Sequence, residues 1–189
     1  MKKISFLAMI LLMGLSSCKN VKKDTETTNA EVIEKEVAAT KGLTVELTPK
    51  SDSNVTGKVV FTEENGTVNM VATLSGLEPG VHAIHIHESS DCSSPDGKSA
   101  GGHWNPTKEP HGKWGAETGY HKGDIGNLTA DENGDASISI STDEWCIGCG
   151  DDTKDIIGKG IIVHAGVDDF TTQPTGDAGG RVSCGGIIE

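Results

Sequence analysis

From Leu43 onward, apolar and polar residues alternate in short runs separated by turn residues. Residues 43–47 read Leu-Thr-Val-Glu-Leu, the period of two that a half-buried β-strand requires. Residues 55–62 form a second run and end in Glu63-Glu64-Asn65-Gly66; Asn-Gly between two alternating runs signals a hairpin. Residues 67–74 place Val68, Met70, Ala72 and Leu74 on one face. The turn Leu77-Glu78-Pro79-Gly80 leads into residues 80–87, and further runs follow at 127–130, 135–141, 161–164 and 181–184. Helical periodicity is scarce. About eight short strands, with the 25 glycines of the chain, predict an all-β domain, an antiparallel sandwich or flattened Greek-key barrel.

Two stretches break the rhythm. Residues 88–122 are rich in Gly, Ser, Pro, His and Lys, and residues 165–180 form a second irregular segment. Loops this long in a compact domain are commonly functional.

The strand at 80–87 reads Gly-Val-His-Ala-Ile-His-Ile-His. Side chains two apart on a strand share a face, so His85 and His87 project together as two imidazoles able to hold one metal ion. His82 points the other way and is read as structural. All seven histidines of the chain fall between His82 and His164. The first long loop adds Gly102-His103-Trp104-Asn105-Pro106, His111-Gly112 and His121-Lys122-Gly123-Asp124. Three imidazoles and a carboxylate suffice for a tetrahedral zinc site, and such a site would order a glycine-rich loop. His164 ends an apolar strand and is followed by Asp168-Asp169.

The amino-terminal region has a different character. Lys2-Lys3 and an apolar run of about a dozen residues read as a secretory signal over residues 1–17, too short to span a membrane. The run ends in Leu15-Ser16-Ser17-Cys18, which resembles the bacterial lipoprotein box, with Cys18 lipidated. Residues 19–41 carry five charges of each sign and no aromatic residue, and read as a tether, so that 18–41 is anchor and linker and 42–189 the folded domain. The expected location is the cell envelope, on the periplasmic side of a membrane or at the cell surface.

The domain holds 23 acidic and nine basic residues, a net charge of −14. That field repels nucleic acid, and an anionic substrate must be drawn in by local positive charge. Four cysteines remain after Cys18: Cys92, Cys146, Cys149 and Cys184. An even count in an exported domain suggests two disulfides with three possible pairings, the economical one being Cys146–Cys149 and Cys92–Cys184. Cys-x-x-Cys also suits a redox motif or half a zinc site. No second thiol pair with metal spacing and no βαβ pattern accompany it, which favours a structural disulfide.

The ordered set GVHAIHIHESSDC (80–92), GGHWNP (101–106), HG (111–112), HKGDIGNLTAD (121–131), VHAGVDDF (163–170) and GDAGGRVSCG (176–185) resembles the copper,zinc superoxide dismutases of the bacterial exported type. The resemblance implies an immunoglobulin-like Greek-key barrel with two long functional loops. It implies copper held by His85, His87, His103 and His164, and zinc held by His103, His111, His121 and Asp124, with His103 bridging. Asp168 would link a copper histidine to a zinc histidine, and Arg181 would attract superoxide beside the copper. Cys92 and Cys184 match the family's intrasubunit disulfide. The activity implied is conversion of two superoxide anions and two protons to oxygen and hydrogen peroxide, an antioxidant role, with catalysis resting on Arg181 and His103. Trp104 is read as packing, and Asp169 and Asp177 as surface carboxylates. The Cys146–Cys149 segment departs from the family pattern. Residues 171–175 lack lysine, so guidance of the anion is expected from Lys98, Lys108, Lys113 or Lys122. A homodimer is possible. The alternative function is a copper-binding or copper-delivering lipoprotein on the same fold; an adhesive role would leave the ligand-type residues unexplained.

Overall fold

The computed structural model describes residues 40–189; the signal segment, Cys18 and all of the tether but its last two residues lie outside the described residues. Eight antiparallel strands follow in chain order: β1 (Lys41–Pro49), β2 (Thr56–Glu64), β3 (Thr67–Ser75), β4 (Gly80–His87), β5 (Gly126–Ala130), β6 (Ala136–Thr142), β7 (Gly160–His164) and β8 (Arg181–Gly186). A single 3-10 turn at Lys98–Ala100 is the sole helical element among the described residues. The alternating runs lie where the sequence places them. Val55, a buried residue just ahead of β2, and Asp135, just ahead of β6, are the exceptions.

The strands are ordered β5-β4-β7-β8-β1-β2-β3-β6. Two four-stranded layers are joined between β1 and β8 by two residue pairs, Thr48 with Cys184 and Pro49 with Ser183. The edge strands β5 and β6 meet across the turn 131–135, where Asp131 N–H donates to the Asp135 carbonyl, and the sheet becomes a nearly closed barrel. Closing a sheet removes the unpaired edges through which it could aggregate.

One face of each strand fills the barrel. Val59 and Phe61 from β2 pack with Val68, Met70, Ala72 and Leu74 from β3, and with Ile84 and Ile86 from β4 and Ile161 and Val163 from β7. Because Ile84 and Ile86 occupy the interior, the pleat turns His85 and His87 to the opposite face of β4. On that face Ala83, His85 and His87 are buried as well, and only Val81 at the start of the strand is exposed. The first long loop covers it: Trp104 N–H donates to Ile86 O, Glu88 N–H to Gly102 O, and Ile86 N–H to Gly123 O.

Both disulfides have the economical pairing. Cys92–Cys184 ties the first loop to β8, and Cys146–Cys149 closes a tight turn between β6 and β7. The carboxylate of Asp155 accepts the N–H groups of Gly148, Gly150 and Ile157 beneath that turn. The Cys-x-x-Cys segment is thus a cross-linked and hydrogen-bonded loop.

Candidate metal centre

Six histidines and two aspartates meet between the outer face of β4 and the loops that cover it. All eight are buried. His85 and His87 come from β4 and His164 from the end of β7, where a register irregularity between Val163 and His164 accompanies the turn into the second loop. His103 reaches them because its own segment pairs with the end of β4, His87 opposite His103.

The potential ligand atoms form two groups, His85, His87, His103 and His164 in one and His103, His111, His121 and Asp124 in the other, each within 4.8 Å of one another. His103 belongs to both. Its Nδ1 lies 2.8 Å from Oδ1 of Asp124, while its Nε2 faces the first group without a hydrogen bond.

The bare nitrogens test whether these residues fit metal ions. His85 Nδ1, His87 Nε2, His103 Nε2, His164 Nε2, His111 Nδ1 and His121 Nδ1 are buried and have no hydrogen-bond partner. Orphaned buried polar atoms are rare in native folds. Here there is one per histidine, and all six converge on the two groups. His111 Nδ1 and His121 Nδ1 lie 3.0 and 3.2 Å from the Asp124 carboxylate without hydrogen-bond geometry, as ligands of a common ion would. The donor set, imidazoles with one carboxylate, suits transition metals such as copper and zinc. The residues fit two ions with a shared imidazole.

In every ring but His121 the other nitrogen is anchored, which fixes tautomer and tilt. His87 Nδ1–H donates to Gly101 O at 2.9 Å, and His164 Nδ1 lies 3.4 Å from Gly179 O. Asp168 holds His85 and His111. Asp124 is itself pinned, its Oδ2 accepting the N–H groups of Gly112 and His121. Gly123, just before it, is wedged against β4, and a Cβ there would fall 2.1 Å from Ile86 O.

Burial favours the neutral form of His87, His103 and His164. Desolvation, reinforced by neighbouring histidines, lowers His164 to about 3 and lowers His87 well below its usual value. Desolvation also brings His103 down to about 4, against the pull of Asp124. At His111 burial acts in the same direction, but the flanking Asp124 and Asp168 outweigh it and raise the ring to about 9. Both aspartates remain ionised: burial opposes their charge, and the hydrogen bonds they accept from the histidines overcome it.

Arg181, on β8, is half-buried beside the first group. Its two terminal nitrogens donate to Gly97 O and Gly101 O, both at 2.7 Å. Gly101 O is also the acceptor for His87, so a single carbonyl ties the guanidinium to a first-group ring.

His82 and Trp104 take structural places. His82 bonds the carbonyls of His164 and Glu78, and Trp104 packs in the core. Asp169 and Asp177 are exposed, and Asp169 caps the turn at Thr171 and Thr172. Lys122 departs from its expected role in guidance: its ammonium is paired with Glu144 and is not free to attract an anion. Several supporting residues carried no signal in the sequence. Gln173 brackets His111, accepting its N–H and donating to its carbonyl. Gly176 is crowded against Asp168, and Glu144 and Trp145 reach the His121 turn.

The chain has counterparts among known proteins. The family model for copper/zinc superoxide dismutase (SODC) matches residues 55–187. Among solved structures, the crystal structure of a double mutant of a SOD-like protein from Bacillus subtilis is 30% identical to this chain. The likeness covers 77% of this chain and 97% of that one, with a TM-score of 0.69. The family match runs from just before β2 to just past β8 and takes in both histidine groups, and on it the chain belongs to the copper/zinc superoxide dismutase family.

Proposed function

We propose that this protein is an exported superoxide dismutase, anchored through a lipid on Cys18, that converts two superoxide anions and two protons to oxygen and hydrogen peroxide. In this reading His85, His87, His103 and His164 hold copper, and His103, His111, His121 and Asp124 hold zinc. When bound, copper supplies one-electron exchange with superoxide, and zinc, which has a single accessible oxidation state, supplies fixed charge and order.

The remaining work falls to the chain. Arg181 offers its guanidinium as the positive charge next to the copper ligands, inside a domain whose net charge of −14 repels anions. Its two carbonyl partners hold it in place before the substrate arrives, so no side-chain entropy is lost on binding. His103 carries the link between the two ions. With Nδ1 turned to the zinc side, Nε2 is the atom that can hold a proton and deliver it to a reduced oxygen species. Asp168 holds rings on both sides at fixed tilt. Exposed Lys108 and Lys113 remain for anion guidance, while Lys98 is exposed but paired with Asp96 at 2.9 Å.

The observation that carries this reading is His103, one buried imidazole shared between two ligand groups, with Arg181 fastened beside the first. The test is superoxide consumption by the full chain loaded with copper and zinc, with His87→Ala as control. Fast turnover that vanishes in the control supports the enzyme. Slow turnover at full occupancy of both metals overturns it and leaves copper binding or delivery as the function.

A further inference from the structure

His121 is held differently from the other site histidines. Asp168 grips His85 and His111, Gly101 O grips His87, Gly179 O lies near His164, and Asp124 backs His103. Among the described residues no hydrogen bond reaches Nε2 of His121, and its Nδ1 faces Asp124. The aim of this ring is therefore set through its backbone.

That backbone is clamped on both sides by two consecutive residues from another part of the chain. Tyr120 donates its hydroxyl to Oε1 of Glu144, and Lys122 pairs its ammonium with Oε2 of the same carboxylate. Trp145 Nε1–H donates to the Lys122 carbonyl at 2.9 Å. Glu144 and Trp145 thus hold the residue before His121 and the residue after it.

The clamp has a rigid base. Trp145 is 1% exposed and packs edge-on against Phe61 and Trp114, with ring centroids 6.4 and 5.2 Å away. Two residues on, Ile147 is fixed at both backbone groups. Its N–H donates to Glu63 Oε2 at 2.9 Å, and Lys41 Nζ donates to its carbonyl at 2.6 Å. The Cys146–Cys149 disulfide closes the same turn. Rigid support is what a ligand needs when its own second nitrogen is unanchored.

We infer that Glu144 and Trp145 are positioning residues for His121, and that the cross-linked 144–149 turn sets the geometry of the second ligand group. The inference rests on the reading that this group binds zinc. It gives a role to the segment that departs from the family pattern.

The test uses the full chain with copper(I) in the first group and either zinc or cobalt(II) in the second. Copper(I) has a filled d shell, so visible d–d absorption reports cobalt alone. Glu144→Gln removes the ion pair, and Trp145→Phe keeps the ring packing but deletes the donor to Lys122 O. Each should release zinc to an excess of chelator roughly tenfold faster and shift the cobalt bands. Should one variant fail to fold, the other carries the test. Release rates and cobalt spectra equal to wild type overturn the inference, even if the melting temperature falls. If wild type takes up neither zinc nor cobalt, the zinc reading fails first and takes the inference with it. His121→Ala, which should lose uptake, separates these cases.

Discussion

Oδ2 of Asp168 accepts a hydrogen bond from Nε2 of His85 at 2.9 Å. The other oxygen of the same carboxylate accepts from Nε2 of His111, also at 2.9 Å. Each ring therefore commits its Nε2–H to Asp168 and turns its Nδ1 toward its own ligand group. Asp168→Ala would leave two buried N–H donors without partners and free both rings to turn. It should weaken metal binding at both groups by about 10–100-fold. Competition with a chelator for copper and for zinc measures this separately. A loss confined to one metal would show that the carboxylate does not couple the two groups.

Gly176 lies where a side chain cannot. Its φ is +69°, and an added Cβ would sit 1.8 Å from Oδ1 of Asp168 and 2.6 Å from Nε2 of His111. Gly176→Ala combines left-handed strain with a collision at the carboxylate. The expected result is at least a roughly tenfold loss of zinc affinity with the β-sheet circular dichroism retained. Zinc retention equal to wild type would mean that the loop relaxes without moving Asp168.

These contacts mark the boundary of what the sequence discloses. Val68, Met70, Ala72 and Leu74 alternate so regularly that β3 and its buried face follow from periodicity alone. His85 and His87 are legible for the same reason, since the pleat puts them together. Their meeting with His103, His111 and His121 is legible only through resemblance to a known family. No local rule says which loop folds back over a strand, and here the loop is placed by Gly123 against Ile86 and by Trp104 in the core. Gln173, Glu144 and Trp145 leave no trace, because each acts through a contact 22 to 62 residues distant in sequence. Lys122 shows the reverse failure. Counted as a surface charge, it is neutralised by Glu144, a partner that composition does not reveal.

Arg181 donates to two carbonyls at once, which a lysine cannot reproduce with a single ammonium. Arg181→Lys keeps the charge but loses the fork that fixes its position. The second-order rate of superoxide consumption should fall by about tenfold, and Arg181→Glu should slow it further by reversing the local field. Rates measured at several ionic strengths separate the two effects. Arg181→Lys should retain a rate that declines with salt, and Arg181→Glu should lose that decline. Equal rates for all three proteins would remove Arg181 from the substrate path.

The disulfide between Cys92 and Cys184 spans 92 residues of sequence. In the chain-entropy model a loop of that length stabilises the fold by about 4–5 kcal/mol. The same bond fastens the segment whose Gly97 and Gly101 carbonyls hold Arg181, and it packs with Ala100 and Ile162. The double variant Cys92→Ser, Cys184→Ser should show both effects, a lower urea midpoint and slower superoxide consumption at full metal occupancy. A lower midpoint with unchanged turnover would confine the disulfide to stability.

The metal-free chain should be most stable near pH 6.5, and the histidines give the sign on each side. His103 and His164 fall to about 4 and about 3 in the fold, chiefly through burial, and His87 falls as well. A histidine unfolds to a pKa near 6.5, so below that pH the unfolded chain binds more protons than the folded one. Their contribution is complete above pH 6.5 and is lost as pH falls toward 4 and 3. His111 runs the other way. Burial opposes its charge, but Asp124 and Asp168 raise it to about 9. Its contribution is complete below 6.5 and is lost as pH rises through 9. Three lowered groups against one raised group make the acid limb the steeper. Urea unfolding of the metal-free chain from pH 4 to 9 measures both limbs. Stability that grew between pH 6.5 and 4 would mean that the buried rings are charged in the fold, and the bare nitrogens facing each group would then be proton carriers instead of open ligand positions.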